Sequence, residues 1–437
     1  MINNSENISN TFCVLPWIHL NIQPNGDIYP CCMAPYGMPI GNTKDNTLEE
    51  IWNNEQMMSI RKDMLSGNRP KLCERCFLIE DSGLLSPRKT HNYFFNDGIN
   101  ELISQTNKET GHNDKFVLKY WDFRWSNMCN FKCRMCGIFS SSKWYDDEAA
   151  LFGTHVNNNG VINFNIDSKE DIFKYVDQFI NEVEEIYFAG GEPLIMDEHY
   201  IILEKLIAAG RTDVRIRYNT NFSHIHFKKW DLHGLWDHFL KDPKGRIFLF
   251  ASLDAVGKLA EVVRNGTKWN AVYQNIKSCV DKGMEVHISP TISILNIFHI
   301  NELIDMAISI GVNPSTVSLN NLLTSPMWYD IRILPDNLKT SLINKLNTYI
   351  ETIGDSYTRS IVKQAKDGWE KHLYTPFEGD IQDARRHLFR STYILDNRRN
   401  ESFLEVNPQY KDWFDEIEST IDDKTFLMEK KGYPSLT

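Results

Sequence analysis

The stretch "SNMCNFKCRMCGIF" (126–139) sets Cys129, Cys133 and Cys136 on one short loop. A closed zinc site or a fully ligated iron–sulfur cluster takes four side chains. Three thiolates can instead hold three irons of a [4Fe–4S] cube and leave the fourth open to a small molecule. A zinc ion would need a distant fourth ligand, such as His112 or His199, because the loop carries no histidine. Five further cysteines, Cys13, Cys31, Cys32, Cys73 and Cys76, form a second group near the N-terminus. In a reducing compartment such groups are metal ligands rather than disulfides. Cys279 lies on an apolar helix face and reads as a buried core thiol.

Downstream of the three-cysteine loop, polar residues fall at the ends of strand-like runs. "AGGEP" (189–193) offers Gly190 and Gly191, which allow close backbone approach, and Glu192, a partner for an ammonium. "YNTN" (218–221) ends on Asn221. "ASLDA" (251–255) puts Ser252 and Asp254 on one strand face, a spacing suited to two sugar hydroxyls. Arg264 and Asn296 follow in "VVRNGTKWNAVYQNI" and "ISILN". Alone, a Gly-Gly-Glu turn or a Ser-x-Asp cap means little. In order, one to a strand end behind the cysteine loop, they form a set.

The elements that must position these residues can be read from the same sequence. Runs at 115–125, 184–191, 213–221, 246–255, 285–293 and 315–321 read as strands, with helical stretches between them such as 197–210, 268–283 and 297–311. Six βα units in series predict an α/β fold with a parallel sheet, whose active site lies at the C-terminal strand ends. Residues 11–82 form a smaller α+β unit: two strand-like runs joined by "PNG", then a helix opened by a Thr47/Glu50 capping box, with Gly67 near its end. So small a unit calls for a metal staple. Residues 83–115 read as a polar linker with some helix, 116–330 as the βα domain, and 331–437 as a helical extension expected to cover the barrel mouth. The basic run 383–400 reads as a solvated helix followed by a loop.

The 437 residues are 42% hydrophobic and 12% aromatic, as suits a packed enzyme, and carry a net charge of −11 that argues against nucleic-acid binding. With neither a secretory signal nor an apolar run of the roughly 20 residues a membrane span needs, the chain is expected to be cytoplasmic.

The three-cysteine loop and the strand-end set together resemble the radical S-adenosylmethionine (SAM) superfamily. The resemblance implies a partial (β/α)6 TIM-like barrel with a SAM-binding [4Fe–4S] cluster on Cys129, Cys133 and Cys136. It also implies SAM held by Gly190, Gly191, Glu192, Asn221, Ser252, Asp254, Arg264 and Asn296, with Glu192 on the amino group and Arg264 on the carboxylate. Met135 departs from the aromatic residue frequent in relatives. The N-terminal pattern, from Cys13 through "PNGDIYPCC" to "CERC", is similar to the twitch or SPASM auxiliary-cluster module, here placed ahead of the barrel rather than after it. The implied set for one auxiliary [4Fe–4S] cluster is Cys13, Cys31, Cys73 and Cys76, with Cys32 open as a replacement for Cys31 and a structural zinc as the rival occupant.

The implied activity is reductive cleavage of SAM to a 5′-deoxyadenosyl radical, which takes hydrogen from a substrate. A peptide or protein is the first expectation, oxidised or cross-linked with help from the auxiliary cluster. A sugar or nucleotide is the alternative, and a non-enzymatic zinc or iron–sulfur interaction protein the rival from another class. With about ten residues before Cys13, no leader-binding domain is expected in front. A flavodoxin or ferredoxin is the expected electron donor. No proton-transferring catalytic residue is assigned.

Overall fold

The computed structural model describes residues 9–81, 85–153 and 169–421. Its centre is one sheet. Strands β1 (His19–Ile22), β2 (Asp27–Tyr29) and β3 (Gly41–Asn42) come from the N-terminal unit. Strands β4 (Tyr120–Phe123), β5 (Glu185–Phe188), β6 (Arg215–Thr220), β7 (Arg246–Ala251) and β8 (Glu285–Ile288) come from the βα repeat. The spatial order is β8-β7-β6-β5-β4-β1-β2-β3. From β8 to β1 every pairing is parallel; β2 and β3 add as antiparallel strands at the far edge.

The N-terminal unit is therefore continuous with the βα sheet. His19 pairs with Tyr120 and Ile22 with Phe123, so β1 extends the sheet beside the first strand of the repeat. A free strand edge leaves its N–H and C=O groups unpaired, and β1 satisfies those of β4. At the opposite edge the strand expected over 315–321 is reduced to isolated parallel bridges, Ile288 with Val317 and Ile292 with Leu322. A 3-10 turn at Pro314–Thr316 interrupts it, and the Trp369 indole donates to the Leu319 carbonyl from the helix Ser356–Leu373.

Strand alternation sorts the side chains. On β6, Ile216, Tyr218 and Thr220 are buried, while Arg215, Arg217 and Asn219 lie on the other, partly accessible face. The polar face continues across the sheet through Asn21, Asp122, Glu185 and Tyr187, with the Asn21 amide donating to Asp122 at 2.6 Å. Helices cover the apolar face and supply the core with residues such as Leu203, Leu206, Trp236 and Ile276.

The expected capping box is present: Thr47 Oγ1 accepts from the Glu50 N–H, and Glu50 reaches back to the Thr47 N–H. The segment after Leu85 carries the helix expected of it, Pro87–Phe94 and Ile99–Ser104. Arg88, in the first of these, is buried on the Phe12 carbonyl and Glu80. Among the described residues no helix is long and apolar enough to cross a membrane.

Candidate active site

A cavity of about 630 Å³ opens at the C-terminal ends of the strands, and Cys129, Cys133 and Cys136 line it. The loop that carries them follows β4 and is pinned on both sides. Cys133 pairs with Arg264 in a short antiparallel bridge, so Arg264 stands beside the loop by backbone register as well as by charge. The Arg264 guanidinium points Nη1 at the Cys133 sulfur, 3.7 Å away. The Cys133 thiol titrates below the usual range, mainly through its hydrogen bond with Cys136 and also through Arg264, against the effect of burial. Burial pushes Cys129 up to about 12.

Gly190, Gly191, Glu192, Asn221, Ser252 and Arg264 line the same cavity. The glycines are required there. Gly191 has φ +47°, and a Cβ on it would stand 2.2 Å from the Met128 carbonyl oxygen. Gly190 has φ +79°, and its added Cβ would meet the Arg124 side chain at 2.8 Å. Backbone thus lines the cavity at a place no side chain could occupy.

Glu192 is buried and raised to about 7, by burial first, although it accepts from Thr220 Oγ1 (2.6 Å), the Asn221 N–H (2.7 Å) and the Leu194 N–H (3.0 Å). A buried carboxylate with this much unrelieved desolvation fits an incoming cation. Asn221 is braced by Asn130 and by the Ser223 N–H.

Two expected contacts are turned inward. Asp254 is fully buried and takes Arg264 in a fork, Nε to Oδ2 at 2.7 Å and Nη2 to Oδ1 at 3.0 Å, while also accepting the Thr291 N–H. Asn296 is wholly buried, with its amide on the Asp254 and Thr291 carbonyls. Neither is part of the cavity wall. Once both are withdrawn from water, a carboxylate and a guanidinium in reach of each other pair. Asp254 and Asn296 therefore hold Arg264 and the loop after β8, and Arg264 faces the cysteines.

The zinc alternatives for this loop are occupied elsewhere. His199 lies in the core against Phe188 and is bonded to the Tyr218 hydroxyl, and His112 sits at the surface near Asp114.

In the N-terminal group, Cys73 and Cys76 act electrostatically on Cys13, and Cys13 and Cys76 on Cys31. Cys32 turns to the barrel side, where the charges it feels first are Asp122 and Arg124. Cys32 also acts on Cys31, and Cys76 reaches Cys32 as well, so all five cysteines of this group are near one another. Among the described residues no three Cys, His, Asp or Glu side chains are drawn together as ligands of a single ion. A cube, which places each thiolate on a separate iron, asks for a wider spread.

Sequence reasoning missed two parts of the site. Gln23, Asn25 and Tyr36 of the N-terminal unit line the cavity, as do Arg124 and Tyr187. Strand alternation alone would have put Tyr187 on the polar face, but only the β1–β4 pairing brings the hairpin to the cavity. Among the described residues of the helical extension none lines the cavity. The extension grips the outside of the cysteine loop instead. Arg134 is fully buried on Asp396 and Glu401, while Arg398 and Arg399 meet Lys132 at Asp147. The basic run is a helix, Ile381–Arg399, as expected, with Arg398 accessible and Arg399 buried against Asp147.

Comparison with known proteins assigns two segments. Residues 13–77 match the model of the SPASM iron–sulfur cluster-binding domain, and residues 123–307 match that of the radical SAM superfamily. Among solved structures the chain is similar to native anSMEcpe with bound AdoMet and Cp18Cys peptide. That match has 15% identity and a TM-score of 0.34, over 53% of this chain and 59% of that one. It is also similar to Streptococcus suis SuiB bound to the precursor peptide SuiA, at 15% identity and a TM-score of 0.32, over 79% and 70% of the two chains. The chain thus spans less than two thirds of the first of these relatives. No curated protein matches.

Proposed function

The chain carries a radical SAM domain preceded by a SPASM iron–sulfur domain, and on that premise we propose that it is a radical SAM enzyme modifying a peptide or protein. The radical SAM domain implies a [4Fe–4S] cluster and SAM; the SPASM domain implies auxiliary iron–sulfur binding. The observation that carries the proposal is one cavity shared by the three cysteines, the glycine cradle, Glu192 and Arg264.

When bound, the cluster and SAM supply reductive cleavage of the sulfonium and a 5′-deoxyadenosyl radical that takes a hydrogen atom. The chain's own residues bind and orient. Cys129, Cys133 and Cys136 would hold the cluster, and Arg264, fixed by Asp254, stands beside the Cys133 sulfur. Glu192 and the glycine backbone receive the methionine ammonium, with Ser252 and Asn221 on the adenosyl side. Cys13, Cys31, Cys73 and Cys76 would hold one auxiliary cluster, which would supply electron-accepting capacity for an oxidation or cross-link. A reduced flavodoxin or ferredoxin supplies the starting electron. Gln23, Asn25 and Asn219 add polar side chains to the cavity wall beside Tyr36 and Tyr187.

Anaerobic reconstitution tests this reading. Two cubes predict about eight irons with matching sulfide per chain. Incubation with SAM and dithionite should yield 5′-deoxyadenosine, and Cys129→Ala should lose both the cavity cluster and the cleavage. Zinc without labile sulfide would sink it.

A further inference from the structure

Three charged side chains line the cavity: Arg124, Glu192 and Arg264. Two are committed to internal partners, Glu192 to Thr220 and Asn221, Arg264 to Asp254. Arg124 differs. Its Nε meets Asp122 at 3.2 Å, and the side chain keeps 24% of its surface accessible. Its hydrogen bond runs through that Nε, and Tyr187 and Cys32 lie near enough to act on its charge. An arginine with one edge anchored and the other open is a fork for a carboxylate.

The anchor is itself built in. Asp122 is fully buried and also accepts from Asn21 at 2.6 Å, and Asn21 accepts from the Gln23 amide at 2.6 Å. A polar chain therefore runs from the N-terminal hairpin to Arg124 across the β1–β4 pairing. Gly190 adds a steric reason for the placement, since a Cβ there would displace the Arg124 stem. Arg124 shares the cavity wall with the hairpin residues, the glycine cradle and Tyr187.

We propose that Arg124 is the specificity-determining cation of the substrate site and receives a carboxylate carried by the substrate. The inference rests on the peptide-modifying reading and narrows it. In a peptide the carboxylate is either an acidic side chain or the C-terminus, and both offer the same two oxygens. Asp122 holds the guanidinium in place, so less freedom is lost when the carboxylate docks.

Binding of short peptide pools to the full chain, with and without SAM, tests this. One pool has Gln at a fixed position and an amidated C-terminus, a second has Glu there, and a third keeps Gln but has a free C-terminus. One of the two carboxylate-bearing pools should bind about tenfold tighter than the neutral pool, which corresponds to about 1.4 kcal/mol. Which one does so identifies the source. Arg124→Gln should remove the preference, and Arg124→Lys should keep part of it. Because Arg124→Gln leaves Asp122 buried and alone, the double variant Asp122→Asn/Arg124→Gln is measured alongside and should show the same loss. Equal binding of all pools by the wild type, or no binding, overturns the proposal, as does a preference that survives both glutamine variants. Formation of 5′-deoxyadenosine is read separately, so a chain that fails to cleave SAM while sorting the pools refutes the radical chemistry and not the subsite.

Discussion

Arg134 lies between Cys133 and Cys136 in sequence and ends in a buried ion pair with Asp396, 262 residues away. Arg134 has no exposed surface, Glu401 adds a second carboxylate at 3.2 Å, and Asn265 holds Glu401. The helical extension thus fastens the cysteine loop from behind. Removing one partner of such a pair strands a buried charge. Arg134→Gln is expected to lower stability by about 3 kcal/mol in denaturant unfolding. It should also alter the electron paramagnetic resonance line shape of the reduced cavity cluster. Unchanged stability together with an unchanged spectrum would reduce the pair to surface decoration.

The two adjacent N-terminal cysteines should separate. Cys31 feels Cys13 and Cys76, whereas the charges Cys32 feels first are Asp122 and Arg124, with Cys76 after them. Cys31→Ala is expected to drop iron from about eight to about four per chain, the content of a single cube. Cys32→Ala should keep the full complement. Iron and sulfide analysis on matched anaerobic samples reads the difference, and the reverse pattern would exchange the two assignments.

Glu192 gives the chain a pH signature. Its folded value of about 7 stands above the ordinary 4.5, so between those limits the folded chain binds more protons than the unfolded one. Stability from this residue is full below about pH 4.5 and is lost as pH rises through about 7, by at most about 3 kcal/mol. Glu192→Gln, which cannot ionise, should flatten that part of the stability–pH curve in urea titrations without cofactor. An unaltered slope would show that another group sets it.

The glycine cradle predicts a sharp contrast between two alanine substitutions. Gly191→Ala puts a methyl 2.2 Å from the Met128 carbonyl oxygen and should cost about 2 kcal/mol or more, with loss of SAM binding. Gly210, at φ +70° with open space around it, should cost only about 1 kcal/mol as alanine and keep SAM binding. Thermal unfolding and equilibrium dialysis with labelled SAM distinguish them.

Much of the site was legible because its signals are local. Three cysteines within eight residues, a Gly-Gly-Glu turn and a Ser-x-Asp pair each lie within one loop or strand end, where spacing alone constrains geometry. The Thr47/Glu50 capping box is legible for the same reason. Less local relationships are not. The sequence offers Asp254 and Arg264 as two separate ligand contacts, but burial pairs them, and no sequence spacing states that both leave water together.

The sequence by itself determined the chemistry on offer: eight grouped thiols, the glycine cradle and alternating strands to carry them. Tertiary structure alone decided which surfaces face that chemistry. The parallel pairing of β1 with β4 brings Gln23 and Tyr36 to the cavity and links Asn21 to Asp122, across about a hundred residues of chain. The Arg134–Asp396 contact fastens the helical extension onto the cysteine loop. Both depend on partners far apart in sequence, whose meeting is fixed by sheet register and by the pairing of buried charge rather than by any local pattern.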